Sequence, residues 1–459
     1  MERRNITSRR QRALFATAMC GTLVVAGCAR LPTAETAPDI RTAASFATTA
    51  SFAAPAVAWP QERWWASYGD AQLDRMVEEA MAGSPDLAAA GARLRAAEAF
   101  TAVAGAANKP QVSANAAFTS DRLSENHIMP PEATPQGWND YGRATVDLRW
   151  EVDFWGKNRS ALAAATSERD AAQAELAQAR LLLASSIAAD YAELARLYAS
   201  LDTAQRSREV RSKTAALFAE RAVLALEERI ALQRNRLAAL LGAGPDRGLR
   251  IARPSLSLDT KVGLPEQAGA GLLGRRPDIV AARLVAEAAA NRIDQKKAEF
   301  YSNVNLMAFV GVQSLGIDML DKSGSTFGSV GPAISLPIFT AGRLQGELRG
   351  AQARHAQAVA NYNGTVSRAM QEVADAAVRQ RALGARLEQA RLAVDASSEA
   401  WRVASNRYEG GLASYLEVLV AEDGLLANMN TLTDLRSLSV IHDIALKRAL
   451  GGGYGASQG

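Results

Sequence analysis

The chain has 459 residues, 22% of them charged, with three histidines and two cysteines, and a formal net charge of +4. Five arginines and one glutamate within residues 1–27 account for all of that charge. The remainder is neutral, so the sequence pI near 9.1 gives no footing for nucleic-acid binding. His127, His355 and His442 lie far apart without ligand spacing, and no Ser-His-Asp or Cys-His arrangement has a motif around it. Neither a metal, a cofactor nor catalytic chemistry is therefore expected.

The N-terminus begins Met1-Glu2-Arg3-Arg4, continues through Arg9-Arg10-Gln11-Arg12, and then runs apolar over 13–26. That is a charged region and a hydrophobic region, too short for a spanning helix. It ends at Val25-Ala26-Gly27-Cys28, which resembles a bacterial lipobox: residues 1–27 read as a lipoprotein signal peptide and Cys28 as the lipidated residue. Arg12 stands where a twin-arginine signal wants an aromatic, and Ala29 is not the Asp of an inner-membrane retention signal. Cys20 leaves with the signal and Cys28 carries lipid, so no disulfide is expected. Residues 28–58, rich in Ala, Thr and Pro without a period, read as the lipidated cysteine and a flexible tether.

The body begins at Trp59-Pro60. Helical periodicity covers 70–107, with Leu73, Met76, Val77 and Ala80 on one face. An alternating strand follows at Val112-Ser113-Ala114-Asn115-Ala116, then a long polar loop with Pro130, Pro131 and Pro135. The next strand, 145–154, alternates strictly: even positions are apolar, and the odd ones carry Asp147, Arg149, Glu151 and Asp153. From 157 to 241 there is neither Gly nor Pro. One such helix would be about 130 Å long at 1.5 Å per residue, so a helical hairpin is expected. The same order then recurs at an offset of 192 residues, with Pro277-Asp278 matching Pro85-Asp86 and Val304-Asn305-Leu306 matching the first strand. Val304, Leu306, Ala308, Val310 and Val312 form one strand face opposite Asn303, Asn305 and Gln313; Ile334, Leu336 and Ile338 alternate with Ser335. The chain thus reads as two tandem repeats, 59–250 and 251–459, the second closing in a Gly-rich tail.

Strands of about ten residues with one apolar and one polar face fit a membrane β-barrel with a wet lumen, although a soluble half-buried sheet alternates in the same way. The lipid anchor favours the barrel. So do Asp147, Arg149, Glu151 and Asp153, which suit a water-filled interior better than a protein core. Four strands cannot close a barrel, so the sheet is open or is completed by other subunits.

Trp64-Trp65, Ser84-Pro85-Asp86-Leu87, Asp153-Phe154-Trp155-Gly156-Lys157, Leu273-Gly274-Arg275-Arg276-Pro277-Asp278-Ile279 and Arg407-Tyr408-Glu409-Gly410-Gly411-Leu412 stand in order. As a set they resemble the outer-membrane efflux proteins of the TolC type, in the lipidated NodT-like branch. The resemblance implies a homotrimer in the outer membrane whose subunits share a twelve-stranded β-barrel and a long α-helical barrel in the periplasm. It implies a passive exit duct that works with a periplasmic adaptor and an inner-membrane resistance-nodulation-division transporter. It further implies a periplasmic gate at the hairpin tips, which makes Arg407, Tyr408, Gly410, Gly411, Tyr415 and Asp423 the candidate gate residues. The plainer reading is a helix–helix turn that needs Gly410 or Gly411 for positive φ. The competing functions are a periplasmic adaptor lipoprotein and a paralogue impaired at the tip.

The halves differ in one respect. Gly342 to Gly451 spans 109 residues, whereas Gly156 to Gly242 spans 86, a shortfall of 23. The counterpart of Arg407 is Arg221, and Arg221-Ala222-Val223-Leu224 contains no Tyr-x-x-Gly turn. Either the first hairpin turns early, within 206–213, or a full-length first helix is followed by a returning stub of about twenty residues; the early turn is expected, because it keeps both helices paired. Past the second tip, Leu419-Val420-Ala421-Glu422-Asp423 replaces a common Leu-Asp-Ala-Gln-Arg, so a family-type ionic latch is not expected there.

Overall fold

The structure is a computed structural model that describes residues 38–42, 45–124, 130, 132, 134–210, 213–256, 263–266 and 268–455, with backbone alone for 207–210 and 213–219. Cys28, the signal peptide and His127 lie outside the described residues. After a 3-10 turn at Trp64–Tyr68 come α1 (Ala71–Gly83), α2 (Pro85–Ala106), β1 (Gln111–Asp121), β2 (Asn139–Val152), α3 (Lys157–Val210), α4 (Lys213–Leu240) and the short α5 (Asp246–Leu249). Then follow α6 (Ala268–Arg275), α7 (Pro277–Ala298), β3 (Asn303–Leu315), β4 (Thr326–Ser335), α8 (Arg343–Glu409) and α9 (Tyr415–Ala449). The helical stretch expected over 70–107 is broken in two at Ser84, whose extended backbone (ψ 123°) is what a following proline requires. Pro85 and Pro277 each open a 22-residue helix at the position where a missing N–H costs nothing.

The chain forms two compact units. One, with residues 97–169 and 285–358, holds the sheet. Its four strands are antiparallel in the order β1-β2-β3-β4. The register aligns Val112, Leu148, Ala308 and Val330 across the sheet, and Val146 with Val310, so one face is apolar throughout. On that face Val112, Val310, Val330 and Ile334 are more than half exposed in the single chain. The other face aligns Ser113, Asp147, Phe309 and Ser329, and Arg143 with Gln313. The fourth strand ends sooner than its alternation suggested: β4 stops at Ser335, leaving Leu336 and Ile338 beyond it, because Pro337 has no N–H to give the ladder. Below the strands, Trp155 stacks on Tyr301 at 4.7 Å and donates to the Ser302 carbonyl, while Lys296 bridges Glu299 and Glu347.

The second unit, with residues 39–96, 170–284 and 359–459, is helical. Leu73, Met76, Val77 and Ala80 of α1 are buried as expected, in a core with Tyr191, Leu194 and Leu197 of α3, Val223, Ile230 and Leu237 of α4, and Val440 and Ile444 of α9. Polar knots fix the helices. Asp70 caps α1 and also accepts from Tyr191 Oη at 2.9 Å and Ser255 N at 2.7 Å. Asp443 accepts from Tyr68 Oη at 2.7 Å and pairs with Lys447. Buried Arg276 binds Asp278, Glu372 and the Ala449 carbonyl.

The described part of the segment expected to be a flexible tether is packed, and so is the Gly-rich tail. Within the expected tether, Asn363 of α8 bonds both Arg41 N and the Asp39 carbonyl, and residues 55–57 pair with Leu264. Phe46 and Phe52 pack on the core of Leu272, Tyr362 and Val366. Pairing with distant chain leaves no period to read, which is why composition misled. The Gly-rich tail is likewise docked: Gly451, Gly452 and Gly453 all have positive φ, and a Cβ on Gly451 would stand 1.9 Å from the Arg275 carbonyl oxygen.

Burial pushes the Asp70 carboxyl up, but the donors on Ser255, Tyr191, Gln72 and Leu73 outweigh it and hold it below the usual carboxylate range. A depressed native pKa stabilises fully above the unfolded value of about 3.9 and ceases to do so as pH falls through the native value. Asp70→Ala, losing a cap and stranding buried donors, is expected to cost about 3 kcal/mol at pH 7. In urea unfolding followed by far-UV circular dichroism, its gap from wild type should narrow below about pH 3. A gap independent of pH would refute the assignment.

Candidate functional site

The second hairpin consists of α8, 67 residues and about 100 Å long, and α9, 35 residues. Its arms meet through Leu383, Ala390, Leu432 and Leu435. At the tip, Leu412 N donates to the Arg407 carbonyl at 2.7 Å and Gly411 N to that of Tyr408 at 2.9 Å. This doubly bonded helix end requires a left-handed residue, and Gly411 supplies it at φ 68°. Gly410 is still bonded to Asn406 in helical fashion, so Gly411 and not Gly410 makes the turn. Ser414 then caps α9 in a reciprocal box with Glu417. The Ser414 N–H and hydroxyl, with Arg407 nearby, hold the Glu417 carboxyl below its ordinary range. Tyr408 and Tyr415 close the turn with rings 5.5 Å apart.

Of the candidate gate residues, Arg407, Tyr408, Gly410, Gly411 and Tyr415 are thus brought together. Asp423 is not; it lies two helical turns further along α9, next to buried Glu422. The sequence reading missed exposed Leu412 and Leu416, and also the Ser414-x-x-Glu417 box, whose spacing was legible. Leu412, Leu416 and Val420 are each about two-thirds or more exposed, which gives the tip an apolar surface.

The first hairpin is shorter. α3 ends at Val210 and α4 begins at Lys213, while residues 211 and 212, within the expected turn, lie outside the described residues. The arms are antiparallel, tied by Gln233 to the Asp190 carbonyl and by Arg234 to Tyr198 Oη. Relative to the second hairpin, thirteen residues are missing from the descending helix, three from the connection and seven from the returning helix, which accounts for the whole shortfall of 23.

On the polar face of the sheet, Asp147, Arg149 and Glu151 belong to β2 and share one side. Asp147 accepts from Asn115 Nδ2 at 2.9 Å and Thr145 Oγ1 at 2.8 Å; Glu151 pairs with Lys157. Asp153 departs from its expected place: β2 ends at Val152, and Asp153 instead accepts from Arg159 N at 2.8 Å at the start of α3. A carboxylate there satisfies a free helical N–H, and this local demand overrides the strand alternation.

No helix among the described residues is long and apolar enough to cross a membrane. What the chain offers a bilayer is the apolar face of its sheet, and what it offers otherwise is a pair of very long hairpins; the class this defines is a channel-forming protein rather than an enzyme. Comparison with known proteins agrees. The model of the outer membrane efflux protein family matches residues 76–225 and 270–452, and the chain belongs to that family. It is 31% identical over 476 residues, 97% of each chain, to the multidrug resistance outer membrane protein MdtP of Escherichia coli K12. It is 37% identical over 322 residues to the fusaric acid resistance protein FusA of Burkholderia cepacia, covering 64% of this chain and 60% of that one. Among solved structures, the outer membrane protein VceC of Vibrio cholerae superposes with a TM-score of 0.81 at 45% identity, over 86% of this chain and all of that one. The fold is therefore that of the TolC-type channels, and the protein is an outer-membrane exit duct for efflux, a passive channel without catalytic chemistry.

Gly411→Ala places a side chain at positive φ and is expected to cost about 1 kcal/mol locally. Amide exchange of 408–416 should accelerate while the global melting temperature holds; Gly410→Ala, in helical conformation, should leave both unchanged. Equal effects at the two positions would contradict the assigned turn.

Proposed function

We propose that three copies of this chain assemble into one duct, each contributing its four strands to a twelve-stranded barrel and its two hairpins to a helical barrel. The observation that carries this is the sheet: β1 and β4 each have a partner on one side only, and the exposed apolar face is unsuited to water. Closing the sheet against neighbouring copies satisfies both edges and turns Asp147, Arg149 and Glu151 toward a wet lumen. The duplicated order of elements supports tandem repeats within each subunit. A lipid on Cys28 adds an anchor, with the segment from Asp39 onward strapped to α8. The tip at Arg407, Tyr408, Gly411 and Tyr415, with exposed Leu412 and Leu416, presents the surface for a periplasmic adaptor and its inner-membrane resistance-nodulation-division transporter. The relatives named for multidrug and fusaric acid resistance favour small organic toxicants as cargo.

Outer-membrane fractions should yield a band near three chain masses that collapses to one on boiling, labelled by fatty acid in wild type and unlabelled in Cys28→Ser. A monomer at both temperatures would rule out the shared barrel. The shortened first hairpin leaves α8 and the start of α9 without a matching length of α3 and α4, so closure at the tip is weakened or adaptor docking altered. Replacing residues 211–212 by the 25 residues 397–421, turn included, restores the missing 23 and should change pump-dependent resistance by several-fold in a host lacking other ducts. Unchanged export would show the shortening to be neutral.

A further inference from the structure

We infer that Arg143, Phe309 and Phe327 form a transit site for small aromatic carboxylates on the polar face of the sheet. This inference rests on the duct reading, which makes that face the lumen wall. The Arg143 guanidinium stands 5.0 Å from the Phe327 ring centre and 5.7 Å from that of Phe309, and the two rings are 5.2 Å apart and tilted by 59°. The three residues come from three strands, so the register of the sheet and not local sequence assembles them.

Two features distinguish the cluster from ordinary lumen wall. Phe309 and Phe327 set two neighbouring phenyl rings beside Asn115, Thr145, Gln313 and Ser329, on a face whose other large apolar side chains, Met307 and Leu315, bring no ring to Arg143. Arg143, moreover, has no ion-pair partner among the described residues. The nearest acid on its own face of β2, Asp147, is within electrostatic range, but its Oδ2 is already engaged by Asn115 and Thr145. A guanidinium lying over a ring keeps its edge N–H donors free, and that edge matches a carboxylate. Arg149, further along the same strand face, is likewise without an ion-pair partner among the described residues, so two bases stand about a single engaged acid.

A benzoate-like anion satisfies both halves of the site at once, its carboxylate on the edge of Arg143 and its ring on Phe309 or Phe327. An aliphatic acid gains only the first contact, and an aromatic amine meets the charge of Arg143 and Arg149. The alternative role for Arg143 is to shield two phenyl rings from lumen water; it provides no reason for the solute's own ring to matter. Weak, reversible binding is what a conducting pathway requires, since a tight site would block it. In a trimer the site occurs three times around the lumen.

The test uses purified full-length protein in planar bilayers, with matched concentrations of benzoate, acetate and benzylamine. Benzoate should reduce the open current about fivefold more effectively than acetate, the increment expected of one aromatic contact. Benzylamine should have no such effect. Arg143→Gln and the double variant Phe309→Leu with Phe327→Leu should each erase the benzoate–acetate difference, while Arg149→Gln, an equal loss of charge, should keep it. Channels that treat benzoate and acetate alike, or a difference that survives in Arg143→Gln, overturn the site and leave the duct intact. Absence of any channel overturns the duct reading itself. Saturation-transfer NMR of benzoate with detergent-solubilised protein reads the site without a current: the signal should appear for wild type and vanish in Arg143→Gln, and its absence in wild type overturns the site.

Discussion

The structure depends on a constraint imposed by hydrogen bonding: a four-stranded antiparallel sheet leaves a row of N–H and C=O groups bare on β1 and another on β4. In water such edges are satisfied by solvent, but this sheet also exposes Val112, Val310, Val330 and Ile334 on one face, which water does not favour. In hydrocarbon the apolar face is at home and the bare edges become intolerable, each unsatisfied group costing several kcal/mol. Only closure of the sheet meets both demands. The register that puts Leu148 beside Ala308 also puts Asp147 beside Phe309, so the same alignment that makes one face apolar gathers the charged residues of β2 on the other.

The helical unit answers a different requirement. Its buried surface is dominated by alanine and by single large residues such as Tyr191, Leu194 and Met76, which lets long helices approach closely but specifies their register poorly. Register is supplied by buried polar contacts between distant parts of the chain. Asp70 joins the start of α1 to α3 and to Ser255; Asp443 joins α9 to Tyr68; Arg276 joins the start of α7 to α8 and to the end of α9. A buried charge without its partner is costly, so each contact allows one alignment and penalises slips. The Gly451-Gly452-Gly453 segment adds a steric counterpart, since its backbone passes too close to Arg275 and Gln61 for any side chain.

How much of this was legible in sequence follows from the range of the interactions involved. Alternation along β2 and β3 and the buried face of α1 are local patterns, and they read correctly because one periodicity decides each. Asp153 misled because strand parity and helix capping compete at the same residue, and capping won. The strap at 39–58 was illegible because Asn363, which holds it, lies more than three hundred residues away. The tip was legible in part: Gly411 and Gly410 were indistinguishable by residue type, and only backbone geometry separates the residue in left-handed conformation from the one still in the helix. The Arg143–Phe309–Phe327 cluster carries no sequence signal, since its members meet only through strand pairing.

The 23-residue difference between the hairpins carries a physical logic of its own. A deletion of arbitrary length in one arm of a helical hairpin shifts the register of that arm against the other and rotates its apolar face away from the core by 100° per residue. Here thirteen residues are absent from the descending arm and seven from the returning arm, with three more from the connection. Leu194 and Leu197 still share one core with Ile230 and Leu237 of the other arm, and Gln233 still reaches the Asp190 carbonyl. The loss therefore removes the far end of the hairpin while preserving the pairing of what is left. The second hairpin retains its full length, its capping box and its doubly bonded glycine turn. At its tip the exposed surface is that of Leu412, Leu416 and Val420, apolar where a Leu-Asp-Ala-Gln-Arg sequence would set an acid and a base one helical turn apart.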